Sequence, residues 1–172
     1  MKKQIVKIGI ILTGILIPVK TLACTCPIKK LSELQQSEIE SADCIFIGEI
    51  IESNEEDYSF TIRVIESLDG GDDNNNIYIA KSFTSCDIFT DTQEQWIIYG
   101  RTEGNYLTLF ECGLSRPVNR PYAGIRRVTP IRESDKKENH QNNFEQSLEQ
   151  AKTNLNSEIE SLRKLRDGLA SN

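Results

Sequence analysis

CIFIGEII, residues 44–51, is the most strand-like segment of this chain, because it is dense in β-branched and aromatic residues. Residues 58–68 alternate, so that Phe60, Ile62 and Val64 share one predicted strand face and the residues between them share the other. Three further strands are predicted at residues 77–80, 95–99 and 106–110, with a hairpin around residues 103–105 between the last two. Five short strands at this spacing indicate a small barrel or a sandwich, and periodicity leaves both open.

Helical patterns flank the predicted strands on both sides. Residues 30–42 predict a short helix, and residues 70–76, GGDDNNN, predict a loop. Residues 116–132 are rich in Pro and Arg and are predicted to be irregular, and residues 133–143 read as a polar linker. One long helix is predicted from Asn143 to Asp167, with Gly168 as its stop. Its apolar stripe consists of Phe144, Leu148, Ala151, Leu155, Ile159, Leu162 and Leu165. The stripe fits either packing on the barrel or self-association as a coiled coil, so the oligomeric state stays open.

Residues 1–23 have the three parts of a secretory signal: a basic start, a short apolar core and small residues before a cleavage site. The apolar core of about a dozen residues is too short to span a bilayer easily. Cleavage after Ala23 would make Cys24 the first residue of a secreted or periplasmic protein. The alternatives are an uncleaved membrane anchor and a lipoprotein signal that acylates Cys24, although Thr21 stands where lipoprotein signals have leucine.

The net charge and the number of cysteines limit the classes of function that this chain can have. Removal of the predicted leader, which holds four lysines and no acid, would leave 149 residues and change the net charge from −6 to −10. An acidic chain of this kind is a poor nucleic-acid binder, because phosphate contacts need clustered Lys and Arg. Five cysteines in an exported chain predict disulfides. The odd count leaves one thiol over if Cys24 is free, whereas the other four can pair evenly if Cys24 is lipidated.

The sequence offers no readable catalytic centre. His140 is the only histidine and lies in the polar linker, where a solvated side chain is expected. Cys24 and Cys26 are separated by one residue, an unusual spacing for zinc ligands, and the chain has no CxxC motif. We therefore predict no enzyme activity, no cofactor and no metal ion of the protein's own.

A group of arginines near the end of the predicted barrel has two interpretations. It consists of Arg116, Arg120, Arg126, Arg127 and Arg132. It fits a site for an anionic ligand, but we expect surface arginines that pair with the carboxylates of this acidic chain.

The Cys24-Thr25-Cys26-Pro27 segment, followed by a short helix and by residues 41–50 (SADCIFIGEI), resembles the start of the tissue inhibitors of metalloproteinases. In that family a mature Cys-x-Cys terminus precedes an Asp-containing lead into the first barrel strand. Residues 95–100 (QWIIYG) and 111–117 (ECGLSRP) are similar to later segments of the bacterial relatives and of the wider netrin-like module.

The resemblance implies a mainly β fold, a five-stranded OB-fold Greek-key barrel with a short N-terminal helix over residues 24–132. A polar linker and a long C-terminal amphipathic helix would then occupy residues 133–172. The family pattern also implies the disulfides Cys24–Cys86 and Cys26–Cys112. The third bridge of the animal inhibitors has no match, because Cys44 follows Asp43 and lies in the predicted strand. Cys44 is therefore predicted to be a buried free thiol.

The resemblance further implies a mechanism and a partner. The free amine and the carbonyl oxygen of Cys24 would chelate the catalytic zinc of a target metallopeptidase, and Thr25 would point toward the pocket beside that zinc. The rival interpretation is a secreted or lipid-anchored OB-fold interaction module that inhibits nothing.

Overall fold

The computed structural model describes residues 24, 26, 27, 29–121 and 140–170. The predicted leader and most of the predicted linker lie outside these residues. The described elements are α1 (Leu31–Ser41), β1 (Cys44–Asn54), β2 (Ser59–Ser67), β3 (Ile77–Lys81), β4 (Gln95–Glu103), β5 (Tyr106–Thr108), β6 (Arg116–Pro117) and α2 (His140–Ala170). None of the helices in the described part of the chain combines the length and the apolarity that crossing a bilayer requires.

Strands β1 to β5 form a closed barrel, so the choice between barrel and sandwich is resolved in favour of the barrel. Neighbouring strands follow the order β1-β2-β3-β5-β4, and β4 pairs with β1 to close the ring. The β3–β5 contact is parallel and consists of the pair Ala80 and Leu107, whereas the other barrel pairings are antiparallel. The two-residue strand β6 continues the sheet beside β4, opposite Trp96 and Ile97.

The alternation predicted for residues 58–68 is confirmed. Phe60, Ile62 and Val64 are buried inside the barrel, where they pack with Phe46 and Leu107. Strand β1 runs three residues beyond the predicted end, because its last residues pair with the start of β2. Strand β5 is shorter than predicted and ends at Thr108.

Strand β4 is buried on both faces, which explains its continuous apolar run. Trp96 and Ile98 point into the barrel, whereas Ile97 and Tyr99 belong to a second apolar cluster outside it. That second cluster is completed by residues of both helices. A strand covered on both sides has no polar face to expose, so the sequence of β4 lacks a period of two.

Gly100 and Gly104 are among the glycines at whose positions a side chain would be unfavourable. A Cβ atom at Gly100 would lie 2.7 Å from the side chain of Leu107, so glycine leaves room for Leu107 in the barrel interior. Gly104 has a φ of +63°, a left-handed conformation, in the turn between β4 and β5. This turn is the hairpin predicted at residues 103–105.

Helix α1 lies against the barrel through one buried charged residue as well as through its apolar side chains. Glu38 is buried and accepts a hydrogen bond of 2.9 Å from Arg101 of β4. The backbone N–H of Ala42 donates to the carbonyl of Glu38 and closes the helix at its C-terminal end. Only Ala42 and Asp43 separate the helix from β1.

Helix α2 packs on the outside of the barrel through part of the predicted stripe. Leu155, Ile159 and Leu162 are buried in the second apolar cluster, whereas Leu165 is 54% exposed. The helix begins at His140 and continues to Ala170, so the prediction that Gly168 stops it is wrong. A helical glycine costs only about 1 kcal/mol relative to alanine, which is too little by itself to end a packed helix.

Salt bridges between α2 and β2 support this packing. Glu66 of β2 accepts hydrogen bonds from Arg163 at 2.6 and 2.8 Å and from Arg166 at 3.2 Å. The hydrogen bonds from Arg163, followed by the one from Arg166, lower the pKa of the Glu66 carboxyl. Arg166 also donates to the carbonyl oxygen of Ser67 at 2.7 Å.

A buried ion pair joins α2 to β6. Arg116 donates to both carboxylate oxygens of Glu158, at 2.9 and 3.2 Å, and the two side chains are 1% and 3% exposed. The Tyr99 hydroxyl and the Gln35 amide each donate to Glu158 at 2.8 Å. Arg116 is therefore neither irregular nor on the surface as predicted: it is a strand residue in the interior, although it does pair with a carboxylate of its own chain.

Candidate functional site

The first described residues are attached to the barrel by two disulfides. Cys24 is bridged to Cys86 and Cys26 to Cys112, each with a Cα–Cα distance of 5.2 Å. This is the pairing that the family resemblance implies. We call these four cysteines the sulfur cluster.

Cys86 is positioned by a tight polar turn in the connection between β3 and β4. The carboxylate of Asp87 accepts hydrogen bonds from the backbone of Phe83 at 3.0 Å and of Thr84 at 2.8 Å. The Thr84 hydroxyl accepts one from the backbone N–H of Cys86 at 3.1 Å. The turn therefore fixes the backbone of Cys86 independently of its disulfide.

Cys112 lies on a segment that is hydrogen-bonded to the segment of Cys86. The N–H of Glu111 donates to the carbonyl oxygen of Cys86 at 2.8 Å, and the N–H of Ile88 donates to that of Leu109 at 2.7 Å. Asp87 and Phe110 form an isolated antiparallel bridge between these two bonds. The two residues that anchor the Cys24-x-Cys26 segment are thus held side by side by the backbone.

The sulfur atoms of the cluster are close together across the two bridges. The Sγ atoms of Cys24 and Cys112, which are not bonded to each other, are 3.7 Å apart. Among the described residues, one group of at least three potential metal ligands is this compact: the Sγ atoms of Cys24, Cys26 and Cys112 all lie within 4.8 Å of one another. All four cysteines are half-buried.

Aromatic side chains stand in the two segments that carry Cys86 and Cys112. Phe83 and Phe110 are 45% and 38% exposed, respectively. Phe83 contacts Tyr106 edge to face, and the guanidinium of Arg101 lies 5.8 Å from the centre of the Phe110 ring. The sequence pattern did not single out these aromatics, because an exposed ring in a loop carries no periodic signal.

Cys44 is buried and forms no disulfide. It lies at the start of β1, opposite Gly100, and packs with the barrel interior. Burial raises the pKa of its thiol to about 12, and the nearby carboxylates of Asp72 and Asp69 add to the shift. A thiol of this kind is neutral and shielded at physiological pH, and it has no part in the sulfur cluster.

We expect Cys44 to resist alkylation in the folded protein. At about pH 8, close to the ordinary thiol pKa of about 8.5, iodoacetamide should leave the native chain unmodified. Intact-mass measurement should show a single adduct only when the oxidised chain is unfolded in guanidinium chloride. Equal rates of labelling with and without denaturant would contradict the burial and the raised pKa of this thiol.

The structure describes some of the remaining residues that the sequence analysis named and does not describe others. Arg120 pairs with Glu94, one of the chain's own carboxylates. His140 is the first residue of α2, so the polar linker ends earlier than predicted. Thr25 lies outside the described residues, and so do three members of the arginine group, Arg126, Arg127 and Arg132.

Comparison with known proteins finds no family model that matches this chain. No curated protein matches it significantly either.

Proposed function

We propose that this chain is a secreted inhibitor of zinc metallopeptidases of the tissue-inhibitor and netrin-like type, built on an OB-fold Greek-key barrel. The observation that carries the proposal is the double attachment of the Cys24-x-Cys26 segment to Cys86 and Cys112. The closed five-stranded barrel with a short helix before β1 agrees with the fold that the resemblance implies. The domain boundaries that follow are a leader at residues 1–23, the barrel domain at 24–132 and the linker with its helix at 133–172.

The proposed chemistry uses main-chain atoms of the mature terminus. A catalytic zinc keeps one coordination position open, and the α-amine and carbonyl oxygen of Cys24 would close a five-membered chelate on it. The amine must be neutral to donate, and the ordinary α-amine pKa of about 7.7–8.0 makes that form accessible near neutral pH. Thr25 would enter the pocket beside the zinc, with no catalytic residue supplied by the inhibitor.

The two disulfides reduce the entropy that binding would otherwise cost. An unattached terminus loses backbone freedom when it is ordered on a target, and each residue ordered costs about 1–2 kcal/mol. Here Cys24 and Cys26 are already attached to segments that the backbone holds together. The exposed rings of Phe83 and Phe110 supply apolar surface within three residues of Cys86 and Cys112, as a protein contact requires.

The bridge at Cys24 favours the free terminus over the lipid-anchored alternative. A thioether-linked lipid and a disulfide both use the Sγ atom of Cys24, so one excludes the other. Intact-mass measurement of the exported protein separates them. A mass of residues 24–172 less four hydrogens supports a secreted or periplasmic inhibitor, whereas a lipid adduct of several hundred daltons would exclude the chelate.

Adding one alanine before Cys24 should abolish inhibition, because the α-amine then no longer belongs to the residue whose carbonyl completes the chelate. The measurement is residual activity of a panel of zinc peptidases, with a serine peptidase as the negative target. The matched control adds one alanine after Asn172, which should leave inhibition unchanged. Both variants should retain two disulfides by mass and the native fluorescence of Trp96, the only tryptophan. Undiminished inhibition by the N-terminally extended form would exclude the mechanism.

The second candidate is a non-inhibitory interaction module, and one observation favours it. Ile77 and Ile79 of β3 are each 49% exposed, so the barrel presents apolar surface outside the sulfur cluster. A chain with a free Cys24 amine that inhibits no zinc peptidase in the panel would support this alternative.

A further inference from the structure

One unbonded pair of sulfur atoms in the sulfur cluster has the spacing of two ligands in a metal site. A tetrahedral zinc ion with Zn–S bonds of about 2.3 Å holds its sulfur ligands about 3.8 Å apart. The Sγ atoms of Cys24 and Cys112 are 3.7 Å apart although no bond joins them. The Sγ of Cys26 lies within 4.8 Å of both, and the Sγ of Cys86 is bonded to that of Cys24. If both bridges were opened, the thiols of Cys24, Cys26 and Cys112 would therefore lie close together, with the thiol of Cys86 next to that of Cys24.

Two of these four ligands keep their positions without the disulfides. The backbone hydrogen bonds from Glu111 to Cys86 and from Ile88 to Leu109 do not depend on the redox state. The turn formed by Thr84 and Asp87 also holds the backbone of Cys86 in place. Opening the bridges thus leaves the backbones of Cys86 and Cys112 held side by side on the barrel, which we call the half-site.

The other two ligands come from the Cys24-x-Cys26 segment. One intervening residue is unusual for zinc in sequence, but the folded chain supplies a second pair from 62 and 86 residues away. All four cysteines are half-buried, so a reductant and a metal ion both have access to the cluster. The fifth cysteine, Cys44, is separate and is buried in the barrel core.

We propose that the reduced protein binds one thiophilic divalent metal ion, of the zinc class, through Cys24, Cys26, Cys86 and Cys112. Each disulfide takes up two electrons and two protons. A dithiol supplies both and is oxidised to its own disulfide, whereas a phosphine supplies the electrons and becomes the phosphine oxide, with the protons and the oxide oxygen coming from water. The four thiols then lose their protons to solvent as the thiolates bind the metal. The oxidised and metal-loaded forms are mutually exclusive, because the same sulfur atoms cannot be bridged and coordinated at once.

The experiment uses Co²⁺ as the probe, on protein expressed from the full-length sequence. The chain is reduced with a phosphine under anaerobic conditions and titrated with Co²⁺. We expect one Co²⁺ per chain, with the intense visible absorption of tetrahedral cobalt and the near-ultraviolet charge-transfer band of cobalt thiolate. Zn²⁺ should displace it and remove the colour, and the oxidised protein should show neither band.

Two cysteine variants and an unfolded control test whether Co²⁺ binds at the sulfur cluster of the folded chain. Cys112→Ser should lose the tetrathiolate spectrum, whereas Cys44→Ser should keep it. The reduced chain unfolded in guanidinium chloride should bind Co²⁺ more weakly than in buffer, because the half-site is made by the fold. If reduction alone unfolds the barrel, Zn²⁺ should restore its far-ultraviolet circular dichroism.

Three results would overturn the proposal. They are a spectrum of octahedral cobalt with the reduced wild type, an unchanged spectrum in Cys112→Ser, and a reduced unfolded chain that Zn²⁺ does not refold. The cobalt spectrum does not depend on protease inhibition. Failure of the chelate mechanism would therefore leave the metal-binding proposal standing, and failure of metal binding would leave the chelate mechanism standing.

Discussion

Glu158→Ala should lower the free energy of unfolding by about 3–5 kcal/mol, because it leaves the guanidinium of Arg116 buried without its counter-charge. Arg116 and Glu158 are 1% and 3% exposed, so water cannot replace the lost carboxylate without opening the contact between α2 and β6. The hydroxyl of Tyr99 and the amide of Gln35 would lose their acceptor in the same step. Such a loss is a large part of the 5–15 kcal/mol that stabilises a typical domain.

The measurement is urea unfolding followed by the fluorescence of Trp96, which is buried in the barrel. Glu160→Ala is the matched control, since Glu160 lies on the same helix and pairs with Arg163 at an exposed position. The control should change the unfolding free energy by at most about 1 kcal/mol. The double replacement Arg116→Met and Glu158→Met should recover part of the loss, because it removes both charges together. Equal stability of Glu158→Ala and Glu160→Ala would show that the buried pair does not hold the helix.

Removal of the Cys26–Cys112 bridge should lower the unfolding free energy by about 4 kcal/mol. The bridge joins residues 86 positions apart, so it excludes a large number of extended conformations from the unfolded chain. The variant must be the double replacement Cys26→Ser and Cys112→Ser. A single replacement would leave a thiol beside the Cys24–Cys86 bridge, where it can exchange with that bridge.

Thermal and urea unfolding without reductant measure this effect. Cys44→Ala is the control, because it removes a sulfur atom that belongs to no bridge and should cost about 1 kcal/mol through lost packing. In the presence of a strong reductant, the wild type and the double variant should approach the same stability, since both then lack bridges. A double variant as stable as the oxidised wild type would show that the bridge contributes nothing to the folded state.

The barrel strands could be predicted from the sequence where one face of a strand is buried and the other is not. Phe60, Ile62 and Val64 give that signal without ambiguity, and the structure buries all three. Periodicity could not reveal how the ring closes, because the parallel contact of Ala80 with Leu107 joins residues that share no local pattern. The choice of a barrel over a sandwich therefore needed the three-dimensional structure.

The buried ion pair could not be predicted for a related reason. Arg116 lies in a strand of only two residues, which is too short to show alternation. Its partner is 42 residues away on α2, and a charged residue in a sequence is normally taken to be exposed. Only the fold shows that Glu158 neutralises it. The sulfur cluster could be predicted only through the family resemblance, since five cysteines permit fifteen arrangements of two bridges and one free thiol (five choices of free thiol times three pairings) and their spacing does not choose among them.

Each disulfide joins two residues that are far apart in the sequence, which determines when each bridge can form during synthesis. Cys24 and Cys26 precede their partners by 62 and 86 residues, and synthesis proceeds from the N-terminus. Cys24 therefore cannot be paired correctly until Cys86 has been made, and Cys26 cannot be paired correctly until Cys112, which follows β5, has been made. The Cys24-x-Cys26 segment is thus synthesised before the whole barrel, but its covalent structure is completed only after the last barrel strand has been made.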